Sequence, residues 1–116
     1  KKFKIMNTLR NKVQLIGNLG NDPEIINLES GKTLAKFSIA TNESYKNAKG
    51  EKITDTQWHN VVAWGKTAQI IEKYVTKGKE VAIEGKLTSR SYETKEGEKR
   101  YITEVVCNEL MMLGNK

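Results

Sequence analysis

Thr67-Ala68-Gln69-Ile70-Ile71-Glu72-Lys73-Tyr74-Val75-Thr76 is the stretch where the hydrophobic period of this 116-residue chain changes, and its reading decides the fold. Ile70, Ile71, Tyr74 and Val75 fall at i, i+1, i+4 and i+5, which predicts one amphipathic helix with these four side chains toward a core. Thr67 is placed to cap its start. Lys77 and Gly78 supply a cation for the last turn and a residue tolerant of the left-handed conformation at its end.

On both sides of this helix the period is two, the mark of strands. Upstream, Val13 and Leu15 open a strand ending at Gly17, and Gly20-Asn21-Asp22-Pro23 turns it into a short extended piece from Glu24 to Leu28. Glu29-Ser30-Gly31-Lys32 turns the chain into a half-buried strand over Thr33 to Asn42. There Ala35, Phe37, Ile39 and Thr41 alternate with Lys36, Ser38, Ala40 and Asn42. The polar stretch Glu43 to Lys52 reads as a long loop. A strand from about Asp55 to Trp64 follows, with Trp58, Asn60, Val62 and Trp64 on one face and His59, Val61 and Ala63 on the other. Downstream, Val81, Ile83 and Leu87 alternate with Glu84, Lys86, Thr88 and Arg90, and Lys95-Glu96-Gly97-Glu98 forms a hairpin turn into Tyr101 to Leu110. Three strands, one helix and two strands predict an all-β chain with one helix. Its order is that of a five-stranded Greek-key OB-fold barrel with the helix between strands 3 and 4.

Twenty Lys and Arg against fourteen Asp and Glu leave a formal net charge of +6 and a pI near 9.4. Three of those charges sit in Lys1-Lys2-Phe3-Lys4-Ile5, a basic start without the apolar stretch of a signal peptide. Residues 1–8 therefore read as an N-terminal extension, 9–114 as one domain and 115–116 as the end of the chain; this length holds one core. The charge that remains suits nucleic acid, an anionic surface or plain solubility, so the positions of the cations have to identify the partner. One cysteine, Cys107, makes no internal disulfide and points to a reducing, cytoplasmic setting. With His59 the sole histidine there is no zinc-type ligand set, and no metal or other cofactor is expected. No apolar run exceeds four residues, so no membrane-spanning segment is expected.

Catalysis finds no support in the motifs. No nucleophile elbow, phosphate-binding loop or dinucleotide fingerprint surrounds any candidate. His59 stands alone on its strand and reads as a structural hydrogen-bonding residue, and Cys107 reads as a small buried hydrophobe. The aromatic residues say more. Tyr45, Trp58, Trp64 and Tyr92 are flanked by Lys46, His59, Lys66 and Arg90. Spacing alone leans toward placing Trp58 and Trp64 inside, because Val62 shares their face. Tyr45, in a polar stretch beside Lys46, has no core to join and suits a stacking platform for bases; Tyr92, on the face of Arg90, Thr88 and Lys86, follows the same argument.

Four blocks together resemble the bacterial single-stranded DNA-binding proteins, the SSB family. They are Asn11-Lys12-Val13-Gln14-Leu15-Ile16-Gly17-Asn18-Leu19-Gly20-Asn21-Asp22-Pro23-Glu24, Phe37 to Tyr45, Thr56 to Lys66, and Lys77 to Leu87, in the family's order and spacing. Tyr101 to Val106 and Met112-Leu113-Gly114 extend the likeness to about Leu9 through Gly114. The resemblance implies an OB fold that assembles as a homotetramer, around which single-stranded DNA wraps during replication, recombination and repair. It places the stacking aromatics on Tyr45, Trp58, Trp64 and Tyr92, and phosphate contacts on Lys66, Lys77 and Arg90. The family's basic positions at Asn60 and Thr88 are not kept, so some contacts shift to Lys46, Lys49 or Lys86. His59 is implied at a subunit interface. Tyr74 matches a further aromatic near the DNA path, while its place in the helical stripe argues equally for burial. The family commonly continues into an acidic, Phe-ended tip that recruits replication and repair proteins; nothing of that kind follows Leu113, so this recruitment is not carried over.

The alternative is an OB-fold primosome-type accessory protein binding mainly protein partners. Such a protein has no need of exposed rings beside cations. A nuclease on the same barrel would need paired carboxylates for a metal, and no convincing pair is present.

Overall fold

The structure, a computed structural model, describes residues 10–114; the extension 1–8 and the chain end 115–116 read from the sequence lie outside the described residues. The elements in chain order are β1 (Val13–Leu19), β2 (Glu24–Asn27), β3 (Thr33–Lys46), β4 (Lys52–Trp64), α1 (Gly65–Tyr74), β5 (Glu80–Glu93) and β6 (Lys99–Met112). β1 pairs with β5, β5 with β6 and β3 with β4, all antiparallel; a parallel contact of β4 with β6 at Val61 to Ala63 and a short pairing of β1 with β3 close the ring. Five strands form the barrel, as the order of periods predicts. The extended piece after β1 becomes β2, a strand added to the edge of β3 outside the ring, so β4 is the third strand of the barrel and the helix follows it, between the third and fourth barrel strands as expected.

The alternation read along β3 fills the barrel. Ala35, Phe37 and Ile39 point inward and meet Val61 and Ala63 of β4, Val81 and Ile83 of β5, and Val105 and Cys107 of β6. Closure demands close backbone approach where strands cross: a Cβ at Gly85 would run into the carbonyl of Val106, beside the point where β6 carries an extra residue against β5.

Three expectations about the helix are corrected. Thr67 does not cap it, because the chain passes directly from β4 into α1 through Gly65 at φ 63°, so the helix begins two residues earlier. Its end is Tyr74, with Lys73 in the last turn; Gly78 lies beyond it, and its N–H donates to the Leu19 carbonyl instead of a helix carbonyl. The buried face is also rotated from the predicted stripe. Ala68, Ile71 and Val75 enter the core, whereas Ile70 and Tyr74 are exposed, because α1 covers one end of the barrel with a narrow row at i, i+3 and i+7.

The predicted loop Glu43 to Lys52 is mostly strand. β3 runs to Lys46 and β4 starts at Lys52 in unbroken register, from Leu34 opposite Trp64 to Lys46 opposite Lys52. Only Asn47 to Glu51 turn. The Asn47 carboxamide oxygen accepts from the Lys49 and Glu51 backbone amides, and Gly50 takes φ 82° to return the chain. Polar composition concealed this pairing because the ribbon leaves the barrel here and has no apolar side to cover. The β5–β6 hairpin projects in the same way, with exposed residues through most of Lys86 to Glu93.

Candidate nucleic-acid interface

β4 crosses the barrel with one row of side chains inward and one outward. Val61 and Ala63 take the inward row, which turns Trp58, Asn60, Val62 and Trp64 outward. The tryptophans are therefore not core residues: Trp58 is 60% exposed and Trp64 44%. Val62, whose company spoke for burial, is buried as the floor of an outer groove. Trp64 ends its strand at the Gly65 corner, and this holds it at one end of that groove. At Trp58 the ring leans over Gly20 in the turn after β1; that turn is fastened by Asn21, whose side-chain oxygen accepts from the Ser38 hydroxyl at 2.9 Å and from its backbone amide at 3.2 Å.

Two cavities of about 320 and 300 Å³ form the groove and share Lys36, Val62 and Glu104. Asn21, Ser38 and Asn60 line one end, Trp64 and Arg90 the other. Glu104 is 5% exposed, and its carboxylate accepts two hydrogen bonds from the Arg90 guanidinium, Nε and Nη2 each at 3.2 Å. These bonds raise the pKa of Arg90 further above its already basic value. Arg90 thus reaches the interface as half of a bidentate ion pair, not as a free cation.

Lys36 is the residue that sequence reading passed over. It sits on the outward row of β3 opposite Val62, half-buried, between Leu34 facing Trp64 and Ser38 facing Asn60. Among the described residues its ammonium has no hydrogen bond or ion pair, although Glu24 lies opposite it across β2 and β3. The signal was present in the alternation that put Lys36 on the solvent row. What was missing was the register that set this row between two tryptophans.

The remaining predicted residues are distributed as follows. Tyr92 is 47% exposed on β5, on the same strand face as Arg90 and Lys86. Tyr45 is 51% exposed on β3 opposite Ile53, and strand alternation turns it to the other side of the ribbon from Trp58 and Lys46. Lys49 is at the ribbon tip and Lys66 on the first turn of α1; the Lys77 amide donates to the Asp22 carboxylate at 2.8 Å, with its ammonium left outside. His59, on the inward row, has its Nε2 3.0 Å from the Thr41 hydroxyl, a bond within the chain. Cys107 is buried, its Sγ donates to the Glu109 carbonyl at 3.2 Å, and loss of solvent pushes its thiol up to about 11. Among the described residues no group of His, Cys, Asp or Glu is arranged to hold a metal ion, and no helix is long and apolar enough to cross a membrane.

Comparison with known proteins agrees with this geometry. The chain is 49% identical over 107 residues to Single-stranded DNA-binding protein 1 of Chlorobaculum tepidum, covering 91% of this chain and 66% of that protein. It is 44% identical to Single-stranded DNA-binding protein 1 of Xylella fastidiosa over 91% of this chain and 79% of the relative. Against the single-stranded DNA-binding protein of Neisseria meningitidis the figures are 41% identity, 91% of this chain and 61% of the relative. The chain therefore spans just under two thirds of the length of two of these three proteins. A solved structure, the Plasmodium falciparum SSB complex with ssDNA, superposes with a TM-score of 0.80 at 35% identity, covering 90% of this chain and 95% of that one. Residues 10–113 match the profile of the single-strand binding protein family, and the chain belongs to that family.

Proposed function

We propose that this protein binds single-stranded DNA without sequence preference and coats exposed strands in replication, recombination and repair, as a bacterial cytoplasmic protein rather than an enzyme. The observation that carries this reading is the outward row of β4. Both rings are exposed: Trp64 lines one end of a groove and Trp58 stands beside Ser38 near the other, and the half-buried Lys36 between them has no hydrogen bond or ion pair among the described residues. Large rings left in water on a rigid strand meet the need of unpaired bases, whose π-faces are hidden in a duplex. Each stacked base contributes about 1–3 kcal/mol whatever its identity. Lys46, Lys49, Lys66, Lys77 and Lys86 are exposed and suit phosphate contacts, with Tyr45, Tyr74 and Tyr92 as further ring surfaces. Four such contacts per protomer give a logarithmic salt slope of about 2.8, so a threefold rise in salt weakens binding roughly twentyfold.

Self-assembly into a homotetramer belongs to the same proposal. Ile16, Ala82 and Met111 lie side by side across β1, β5 and β6 on the outer face, with Ile16 60% and Met111 64% exposed. The edge of β1 away from β5 has no strand partner from Val13 to Gly17 among the described residues. An apolar row beside an open strand edge supports pairing with another copy. Replication and repair proteins remain partners in the proposal, without an assigned contact on this domain.

Titration with poly(dT) tests the reading. Trp emission falls strongly on binding if Trp58 and Trp64 stack with bases, and light scattering reports a tetramer in the same sample. An unchanged spectrum with DNA in excess, or retention of only duplex DNA, sinks the proposal.

A further inference from the structure

Gly20 occupies a position where the backbone does not require glycine: its φ lies outside the left-handed region that six other glycines adopt. What it lacks is a side chain, and the space a Cβ would need is taken. That atom would run into Cζ3 of Trp58, lie 2.9 Å from its Cη2 and 3.1 Å from the Ser38 hydroxyl. The obstacle is thus the outer edge of an exposed indole, free to swing into solvent, and not the core. The Gly20 amide is itself fixed, donating to the Ser38 carbonyl at 3.0 Å, in the turn that Asn21 fastens to Ser38.

We infer that Gly20 is a positioning residue for base stacking: its bare backbone is the bed on which the Trp58 ring lies, holding that ring in one pose before DNA arrives. The inference rests on the proposed single-stranded DNA binding. An exposed tryptophan on a strand has several staggered side-chain states, and one held against a rigid turn loses less freedom when a base stacks on it. A methyl group at position 20 removes the bed, turns the ring out and leaves the fold intact, because the group that must yield is the free end of a side chain.

The test is a double-mutant cycle with Gly20→Ala and Trp58→Ala, read by oligo(dT) affinity, together with acrylamide quenching of the free protein, excited selectively at tryptophan, in a Trp64→Phe background where Trp58 is the only tryptophan. Trp58→Ala weakens binding about 5- to 150-fold, the range for one stacked base. Gly20→Ala should weaken binding at least about threefold in the parent and less than about 1.5-fold when Trp58 is already Ala, the non-additivity of two groups in contact. It should also make Trp58 more accessible to acrylamide and leave the melting temperature in place. Equal losses in both backgrounds, an unchanged quenching rate or a large fall in melting temperature each overturn the positioning role. If Trp58→Ala itself binds like the parent, the stacking reading has failed instead, which the cycle reports separately.

Discussion

Glu104→Gln is the substitution through which the structure makes its sharpest quantitative statement. The buried Glu104 carboxylate takes both Nε and Nη2 of Arg90, so the pair presents little net charge to a passing phosphate. A phosphate bound there competes with a carboxylate already in place and releases little of its condensed counterion. Glutamine keeps the shape of the side chain and removes its charge, leaving Arg90 a free cation at the end of the groove that Trp64 lines. One added phosphate contact steepens the logarithmic salt slope by about 0.7, so over a threefold rise in salt the variant loses about twofold more affinity than the parent. At low salt it binds more tightly. The double variant Arg90→Met/Glu104→Gln removes both charges and returns the slope to that of the parent. Fluorescence titration with oligo(dT) at several NaCl concentrations measures all three slopes. If Glu104→Gln leaves the slope unchanged while Arg90→Met alone lowers it by about 0.7, Arg90 acts as an unpaired cation and the reasoning from the ion pair is wrong.

Lys36→Met keeps the aliphatic stem and removes the ammonium between the two tryptophans; the salt slope should fall by about 0.7, and an unaltered slope would show that no phosphate passes there. On α1, Ile71→Ala opens the core and should cost about 2–5 kcal/mol in chemical denaturation, whereas Tyr74→Ala should stay within about 0.5 kcal/mol; the reverse order would restore the predicted helical stripe. For Cys107, the folded thiol titrates above the ordinary thiol range, near 11, so the folded state keeps its proton where the unfolded state loses it. This contribution is complete below about pH 9, the ordinary thiol value, and is lost as pH rises toward 11, at most roughly 3 kcal/mol. Denaturation curves of the parent and Cys107→Ala should therefore converge with rising pH in that window; parallel curves would rule out a perturbed thiol.

The element order of the barrel was legible because periods of two and of 3.6 are local properties. Ala35, Phe37 and Ile39 could alternate only as one face of a strand, and Ile71 with Val75 only as part of a helix. The ribbon from Glu43 to Lys52 was not legible, since a strand pair standing out in solvent buries neither face and leaves no apolar period. The helical stripe was misread for a related reason: hydrophobicity marks Ile70 and Tyr74 as candidates for burial, but the width of the face that α1 lays on the barrel admits only Ala68, Ile71 and Val75.

At the candidate site, Trp58 and Trp64 carried opposite arguments. Their spacing on a strand that also carries Val62 spoke for a core, and the resemblance spoke for an exposed surface. Closure of the barrel decides between them, because the inward row of β4 is already filled by Val61 and Ala63.

The sequence by itself determined the class of fold, the family blocks from Asn11 to Gly114 and the supply of rings and cations. Each of these is a matter of residue type and short-range spacing. Tertiary structure alone decided that Arg90 is tied to Glu104, that Lys36 has no ion-pair partner among the described residues, and that Gly20 lies under Trp58. Those relations join residues 14 to 38 positions apart in the chain, brought together by strand register and barrel closure, and no local pattern encodes which charge a folded chain leaves unpaired.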